Sequence, residues 1–160
     1  MAFHDDLLVQ ALSLAQREPK NPKQASLRRA VSTAYYAVFH LLISEAAANW
    51  NRASLRAALG RAFEHNVMKA ASNRLQDARQ FPFTGVNPSV VVDLRLVAKT
   101  FSKLQEKRHT ADYDNTAIWT RTEALFRVNS AEDAFAAWKR IRNEQIAQEY
   151  LVSLMVKKRD

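Results

Sequence analysis

Arginine and histidine residues are the side chains in this sequence whose types and spacing are best suited to chemistry. Arg61 and His65 are four positions apart in the segment RAFEH, where a helix would place them on one face. Arg108 and His109 are adjacent in the segment RHTADYD, shortly before Asp112. An imidazole can move the proton of a ribose 2′-hydroxyl while a guanidinium holds the phosphate, so such groups can cleave RNA without a metal. The alternative for Arg61 and His65 is a solvent-exposed helix face.

A stripe of polar residues accompanies the segment from Ser26 to Ala48, which contains no glycine or proline. Apolar residues recur there every three or four positions, which predicts a long helix. Polar residues follow beside them at steps of four, three and four: Arg29, Thr33, Tyr36 and His40. These groups need partners elsewhere in the chain, because an unpaired buried polar group costs roughly 1–3 kcal/mol. His40 is therefore either a catalytic candidate or a hydrogen-bonded core histidine.

The RHTADYD segment is predicted to be a polar turn, and it has two interpretations. Asp112 and Asp114, with a phenol between them, are suited to general acid–base catalysis. The structural interpretation is that one carboxylate caps the next helix or pairs with Arg28 or Arg29 across the bundle. Such a pair would give the polar stripe of the long helix its partner.

Metal ions and nucleotide cofactors are not expected. The four histidines lie at positions 4, 40, 65 and 109, and no pair of them has the spacing of metal ligands on a helix. Gly60 and Gly85 stand alone, so the clustered glycines of a phosphate-binding loop are missing. The sequence contains no cysteine, which excludes disulfides and thiolate chemistry.

The charge balance favours an anionic partner. The net charge is +8, from 24 basic and 16 acidic residues, and a basic surface attracts RNA, DNA or an acidic protein. A solvated positive surface without a partner is the alternative. The residues expected to contact RNA are Arg29, Tyr36, Arg52 and Arg56. We expect no membrane segment, because the longest uncharged run is shorter than the roughly 20 residues of a span, and no signal peptide, and hence a cytoplasmic protein.

The predicted fold is all-α, a single domain over residues 1–160 with a frayed basic tail at 156–160. Two glycines and four prolines are too few for the turns of a β sandwich. Residues Val90 to Val92 favour a strand by propensity, but apolar residues continue from Val90 to Leu104 at helical spacing. Ser130 with Asp133 predicts a capping box that opens the last helix. The predicted helices form an antiparallel bundle of about five main members, with segments at 4–16, 26–48, 55–64, 66–78, 89–107, around 118–126, and 131–155.

Two segments resemble those of one protein family. The segment ASLRRAVSTAYYAVFHLL, residues 25–42, resembles the helix with an AYYAxFH core in HEPN-domain proteins, especially the UPF0332-like branch. The segment EKRHTADYD, residues 106–114, resembles the RxxADYD segment that such proteins carry downstream. The resemblance implies a helical bundle, often a homodimer or bound to a cognate partner protein, in toxin–antitoxin, defence or RNA-processing systems.

Active members of that family resemble metal-independent endoribonucleases whose motif is an arginine and a histidine with four to six residues between them. No such pair is present in this sequence. The expected function is therefore RNA association, with metal-independent cleavage by a site drawn from Arg108, His109, Asp112, His40, Arg61 and His65. A non-catalytic helical module for dimerisation or partner binding is the alternative.

Overall fold

The computed structural model describes residues 1–159 and is built from helices, with no strand among those residues. The all-α prediction is thereby confirmed. Seven α-helices follow one another along the described chain, with one turn of 3-10 helix at Ala53–Leu55: α1 Phe3–Ala15, α2 Gln24–Ala48, α3 Arg56–Gly60, α4 His65–Arg74, α5 Pro88–Tyr113, α6 Arg121–Ile141 and α7 Gln145–Ser153. This is more than the five main helices predicted: α3 occupies only the first part of the short segment predicted at 55–64, and the segment predicted at 131–155 is divided between α6 and α7.

Helix α2 is the centre of the fold. It packs against α1, α5 and α6, and fifteen of its 25 residues are buried. Alanines at three- and four-residue steps let the neighbouring helices approach closely, while Leu27, Val31 and Leu42 fill the space between them. Burial of each large apolar side chain stabilises the fold by roughly 1.5–3 kcal/mol. The predicted apolar stripe of this helix is confirmed.

Helix α5 is longer than its predicted range of 89–107. Pro88 occupies its first turn, and the Asn87 side chain caps it by accepting a hydrogen bond from the Ser89 amide at 2.9 Å. The helical interpretation of Val90 to Val92 is confirmed. The turn predicted at Arg108 to Asn115 is wrong, because the helix continues through Tyr113. No glycine or proline interrupts it there, and Ala111, 2% exposed, extends the buried stripe.

The connection between α3 and α4 corrects another prediction. Arg61 and His65 do not share a helix face, because α3 ends at Gly60 and His65 is the first residue of α4. A Cβ at Gly60 would lie 3.2 Å from Cγ2 of Ile43, so the glycine permits α3 to pack closely on α2. Phe63, 7% exposed, anchors the short connection to the core.

Helix α6 is continuous across the gap between the two segments predicted around 118–126 and at 131–155. Its capping box is Thr120 with Glu123, and each side chain bonds the other residue's amide at 3.2 Å. Ser130 lies inside the helix, where its hydroxyl donates to the Phe126 carbonyl at 2.8 Å. The capping box predicted at Ser130 is therefore wrong, and the helix ends at Ile141 instead of continuing to Met155.

Arg28 joins α2 to the end of α5. Its guanidinium donates hydrogen bonds to the carbonyls of Ala111 at 3.0 Å, Asp114 at 2.8 Å and Ala117 at 2.5 Å. The last carbonyls of a helix have no partner within the helix, so Arg28 satisfies groups that would otherwise remain unpaired. The expected arginine–carboxylate pair across the bundle is not formed by Arg28, and Arg29 is exposed.

Candidate functional site

A cleft of about 480 Å³ lies between α4 and α5 and collects most of the side chains suited to chemistry. Helix α4 presents His65 and Lys69, four positions apart, and helix α5 presents Gln105 and His109 at the same spacing. We call this cavity the basic cleft. It is lined by His65, Asn66, Lys69, Gln105, Glu106, Arg108, His109 and Thr110, so one carboxylate stands among its basic side chains.

The imidazole of His65 is fixed by contacts with α2. Its Nδ1 lies 2.5 Å from the Tyr35 hydroxyl, and its ring stacks on Phe39 with centroids 4.4 Å apart and planes 18° from parallel. Tyr35 is completely buried and Phe39 is 8% exposed, so neither contact is free to rearrange. The imidazole is therefore held in one orientation beside the cleft.

The protonation of this pair follows from its surroundings. Burial raises the pKa of the Tyr35 phenol, so the hydroxyl keeps its proton near neutral pH and shares a hydrogen bond with Nδ1 of His65. Burial, and then the positive charge of Arg108 and the proximity of His40, lower the pKa of His65. The imidazole is thus neutral near pH 7, and the tautomer in which Tyr35 donates to Nδ1 carries its hydrogen on Nε2.

Arg108 is positioned by aromatic rings. Its Cζ lies 5.2 Å from the Tyr35 ring centroid and 5.9 Å from that of Tyr36, within the range of a cation–π contact. The nearest carboxylate oxygen, on Asp112, is 3.9 Å from its Nη1, which is long for a hydrogen bond. The side chain is only 14% exposed, so its charge is partly desolvated and incompletely neutralised. Such a guanidinium is prepared to bind an anion.

Two buried polar atoms on α5 have no hydrogen-bond partner among the described residues. One is Nε of Arg108 and the other is Oε1 of Gln105, a residue 7% exposed whose Nε2 reaches Asn66 at 3.4 Å. An unsatisfied buried polar atom costs about 1–3 kcal/mol. Both residues line the basic cleft, and unsatisfied groups of this kind are common where a protein binds a ligand.

Asp112 lies one turn after Arg108 on α5 and contacts α2. Its carboxylate accepts a hydrogen bond from the Ser32 hydroxyl of α2 at 3.3 Å. Asp114 accepts from the amide and the hydroxyl of Thr116 at 2.9 and 2.7 Å, which shapes the turn after α5, and these contacts lower its pKa. Neither carboxylate lines the basic cleft, so the structural interpretation fits both better than general acid–base catalysis.

A second cavity, of about 540 Å³, lies between the start of α1, the second half of α2, and α3. We call it the His40 cavity. His40 contacts Phe3 and Phe39 with ring centroids 4.9 and 5.2 Å away. Burial, and then His4, lower the pKa of His40. Arg56 and Arg61 line the opposite wall, and Arg56 also donates to the carbonyls of Trp50 at 2.9 Å and Ala48 at 3.3 Å.

The structure separates the predicted site residues into groups. Arg108, His109 and His65 line the basic cleft, with Tyr36 against Arg108. The expectation that Arg61 acts beside His65 is wrong, because Arg61 lines the other cavity together with His40 and Arg56. Arg29 and Arg52 are exposed and line neither cavity.

Sequence reasoning missed Lys69, Asn66, Gln105 and the function of Tyr35 as an anchor. The four-residue spacing of His65 with Lys69, and of Gln105 with His109, is the signal that was present. The predicted helices at 66–78 and 89–107 leave out His65 and His109, so neither pair was predicted to share a helix face. The contact of Tyr35 with His65 has no sequence signal, since thirty positions separate the two residues.

Other features of the described chain add no cofactor site. Residues 1–159 contain no group of three or more histidine, cysteine or carboxylate side chains arranged to hold a metal ion. Within the same residues, no helix combines the length and apolar character needed to cross a bilayer.

No family model, curated protein or solved structure matches the chain.

Proposed function

We propose that this protein is a HEPN-like RNA-associated protein of the toxin or defence type that cleaves RNA at the basic cleft without a metal ion. The observation that supports the proposal is the convergence of Arg108, Lys69, His65 and His109 on one cavity. Two positive side chains suit a phosphate, and two imidazoles supply donor and acceptor nitrogens. The carboxylate of Asp112, 3.9 Å from Nη1 of Arg108, neutralises that charge only in part, which leaves the guanidinium able to bind the substrate.

In the proposed mechanism, His109 is the general base. It is exposed and takes the proton of the ribose 2′-hydroxyl, whose oxygen attacks the adjacent phosphorus. The bond from phosphorus to the 5′-oxygen breaks, leaving a 2′,3′-cyclic phosphate, and the departing oxygen takes a proton from water. Arg108 and Lys69 bind the phosphoryl oxygens as negative charge accumulates, and Nε2–H of His65 donates a hydrogen bond to the same group.

His65 does not serve as the base in this mechanism. With the Tyr35 hydroxyl donating to Nδ1, the lone pair of that nitrogen is engaged and the hydrogen of His65 lies on Nε2. The division of labour between the two histidines therefore follows from the hydrogen bond with Tyr35. It does not require an arginine and a histidine at a fixed sequence separation.

The proposal is tested with end-labelled single-stranded RNA in the presence of EDTA. We expect His109→Ala to slow cleavage by about 10²–10⁴-fold, since that is the usual contribution of a general base. Arg108→Gln should also slow cleavage. The matched control is Arg17→Ala, an exposed arginine outside both cavities. Absence of cleavage by the wild-type protein, or equal rates for His109→Ala and Arg17→Ala, would contradict the proposal.

A second candidate function is a non-catalytic module that binds a partner protein. Ile118 is 81% exposed and Phe126 is 60% exposed, and both line a mostly apolar cavity of about 340 Å³ beside α6. Lys107 and Arg127 lie on the same surface. Exposed large apolar side chains in one patch mark an interaction surface, and the basic residues favour an acidic partner over a second copy of this basic chain.

The second candidate is tested by calorimetric titration with an acidic amphipathic peptide as the probe. Ile118→Ser should weaken binding, whereas Val92→Ser, which alters an exposed residue on α5 outside this patch, should not. Equal binding by the two variants contradicts the assignment of the surface. Light scattering on the protein alone measures its molecular mass. The mass of a homodimer would indicate that a second copy of the chain, and not an acidic partner, occupies this surface.

A further inference from the structure

The His40 cavity has the composition of a pocket for a flat, uncharged ring. Its walls are mainly apolar and include Phe3, Phe39 and Ile43, and its volume of about 540 Å³ falls within the usual range for ligand pockets. The imidazole of His40 forms part of the same wall between two phenyl rings. Because burial and His4 lower the pKa of His40, this wall is neutral near pH 7. Nucleobases bind to such aromatic, uncharged surfaces by stacking.

The rim of the same cavity is positively charged. Arg61 is exposed at the end of α3, and Arg56 is held half-buried by its bonds to the end of α2. No acidic residue lines the cavity among the described residues. An aromatic recess bordered by arginines matches a base together with its phosphate, which is the combination used to bind single-stranded nucleic acid.

The His40 cavity and the basic cleft are linked by Phe39. This residue lines the first cavity, and its ring stacks on His65, which lines the second. The same phenyl ring also contacts His40, with a centroid distance of 5.2 Å. One aromatic side chain therefore contacts an imidazole of each cavity.

We infer that the His40 cavity is a nucleobase subsite that binds a base of single-stranded RNA next to the nucleotide held in the basic cleft. This inference rests on the proposed function and adds a substrate class, because base-paired RNA keeps its bases stacked inside the helix. Arg61 and Arg56 contact the phosphate of the bound nucleotide. Arg61, a catalytic candidate in the sequence analysis, is thus a binding residue.

The test is fluorescence anisotropy with a short labelled single-stranded RNA and a set of the same oligonucleotides carrying one abasic position each. With the wild-type protein, one abasic position should weaken binding by about tenfold or more, since a stacked base contributes at that level. Ser44→Phe and Ala57→Phe each place a large side chain into the cavity from opposite walls, at exposed positions. Both variants should bind the intact RNA more weakly and lose the sensitivity to the abasic position.

Two further measurements separate the possible failures. Arg61→Ala should weaken binding of the intact RNA, whereas Arg17→Ala, which removes an equal charge outside the cavity, should do so much less. If RNA binds but the abasic penalty persists in both filled-cavity variants with unchanged melting temperatures, the subsite is wrong and the proposed function stands. If the wild-type protein binds no single-stranded RNA, both are overturned.

Discussion

At the scale of single residues, the hydrogen bond between Tyr35 and His65 determines what the basic cleft can do. It holds the ring in one orientation, and with the Tyr35 hydroxyl as the donor it places the imidazole hydrogen on Nε2. Arg108 adds a second influence, because its charge disfavours protonation of His65. Burial and this charge together keep the imidazole neutral near pH 7.

The pKa of His65 should therefore respond to Arg108. In Arg108→Gln, the pKa of His65 should rise toward the ordinary value of about 6.5, because a nearby positive charge has been removed. Proton NMR titration of the imidazole resonances measures this directly. Lys139→Gln, an exposed change on α6, is the matched control and should leave the titration unchanged. A lower pKa in Arg108→Gln would contradict the electrostatic account.

At the scale of helices, caps and breaks decide which side chains meet. Thr120 and Glu123 start α6 at its first turn, while Ser130 lies nine residues inside the same helix and bonds the preceding turn. Ser130 and Asp133 are three positions apart, as in a capping box, but α6 already has a capping box at Thr120 and Glu123. A capping box forms only at the start of a helix, and the sequence does not show which of the two patterns lies there.

Alanine substitutions at these two positions should therefore have different effects. Thr120→Ala should lower the free energy of unfolding by about 1 kcal/mol, since it removes the side-chain partner of an amide at the helix start. Ser130→Ala should be close to neutral, because alanine is the most favourable residue inside a helix. Urea denaturation followed by circular dichroism compares the two. A larger loss for Ser130→Ala would contradict the observed start of α6.

The sequence was sufficient for the class of fold and for the long helices, because the apolar periodicity of α2 and α5 extends over many turns. It was insufficient where helices end. The helix predicted at 55–64 runs through Gly60, whereas α3 ends at that residue, and Arg61 and His65 line different cavities. The contacts of Arg28 with three carbonyls also lay beyond prediction, because backbone acceptors leave no trace in side-chain patterns.

At the scale of the whole molecule, the net charge of +8 acts together with the two cavities. In the proposed function, long-range attraction brings RNA to the surface, and the arginines and lysine of the cavities contact its phosphates. If the protein binds single-stranded RNA in this way, its affinity should depend strongly on salt, because bound counterions are released for each phosphate contacted.

The salt dependence should identify the residues that contact phosphate. Lys69→Ala should reduce the magnitude of the slope of log K against log salt by about 0.7, the value for one contact with a single strand. Lys139→Ala removes an equal charge outside both cavities and should leave the slope unchanged. Equal slopes for wild type and Lys69→Ala would place Lys69 outside the phosphate contacts.

The stability of the molecule should fall in acid. The pKa of Asp93 is lowered by its bonds to Arg140, and the pKa values of His40 and His65 are lowered chiefly by burial. The unfolded chain therefore binds more protons than the folded one, so stability is fully present above about pH 6.5 and decreases as the pH falls below it. Melting temperatures across this range measure the effect, and a higher value in mild acid would contradict it.

The two helices that form the basic cleft differ in length and in the number of side chains that they bury. Helix α4 has ten residues, of which Met68, Ala71 and Ser72 are buried, whereas α5 has 26 residues and eight buried ones. Local opening of a short helix with few buried side chains requires less free energy than opening the entire bundle. Warming should accordingly detach His65 from Tyr35 while the rest of the bundle remains intact. The cleavage proposed above would then be lost reversibly, at temperatures where circular dichroism still reports a folded chain.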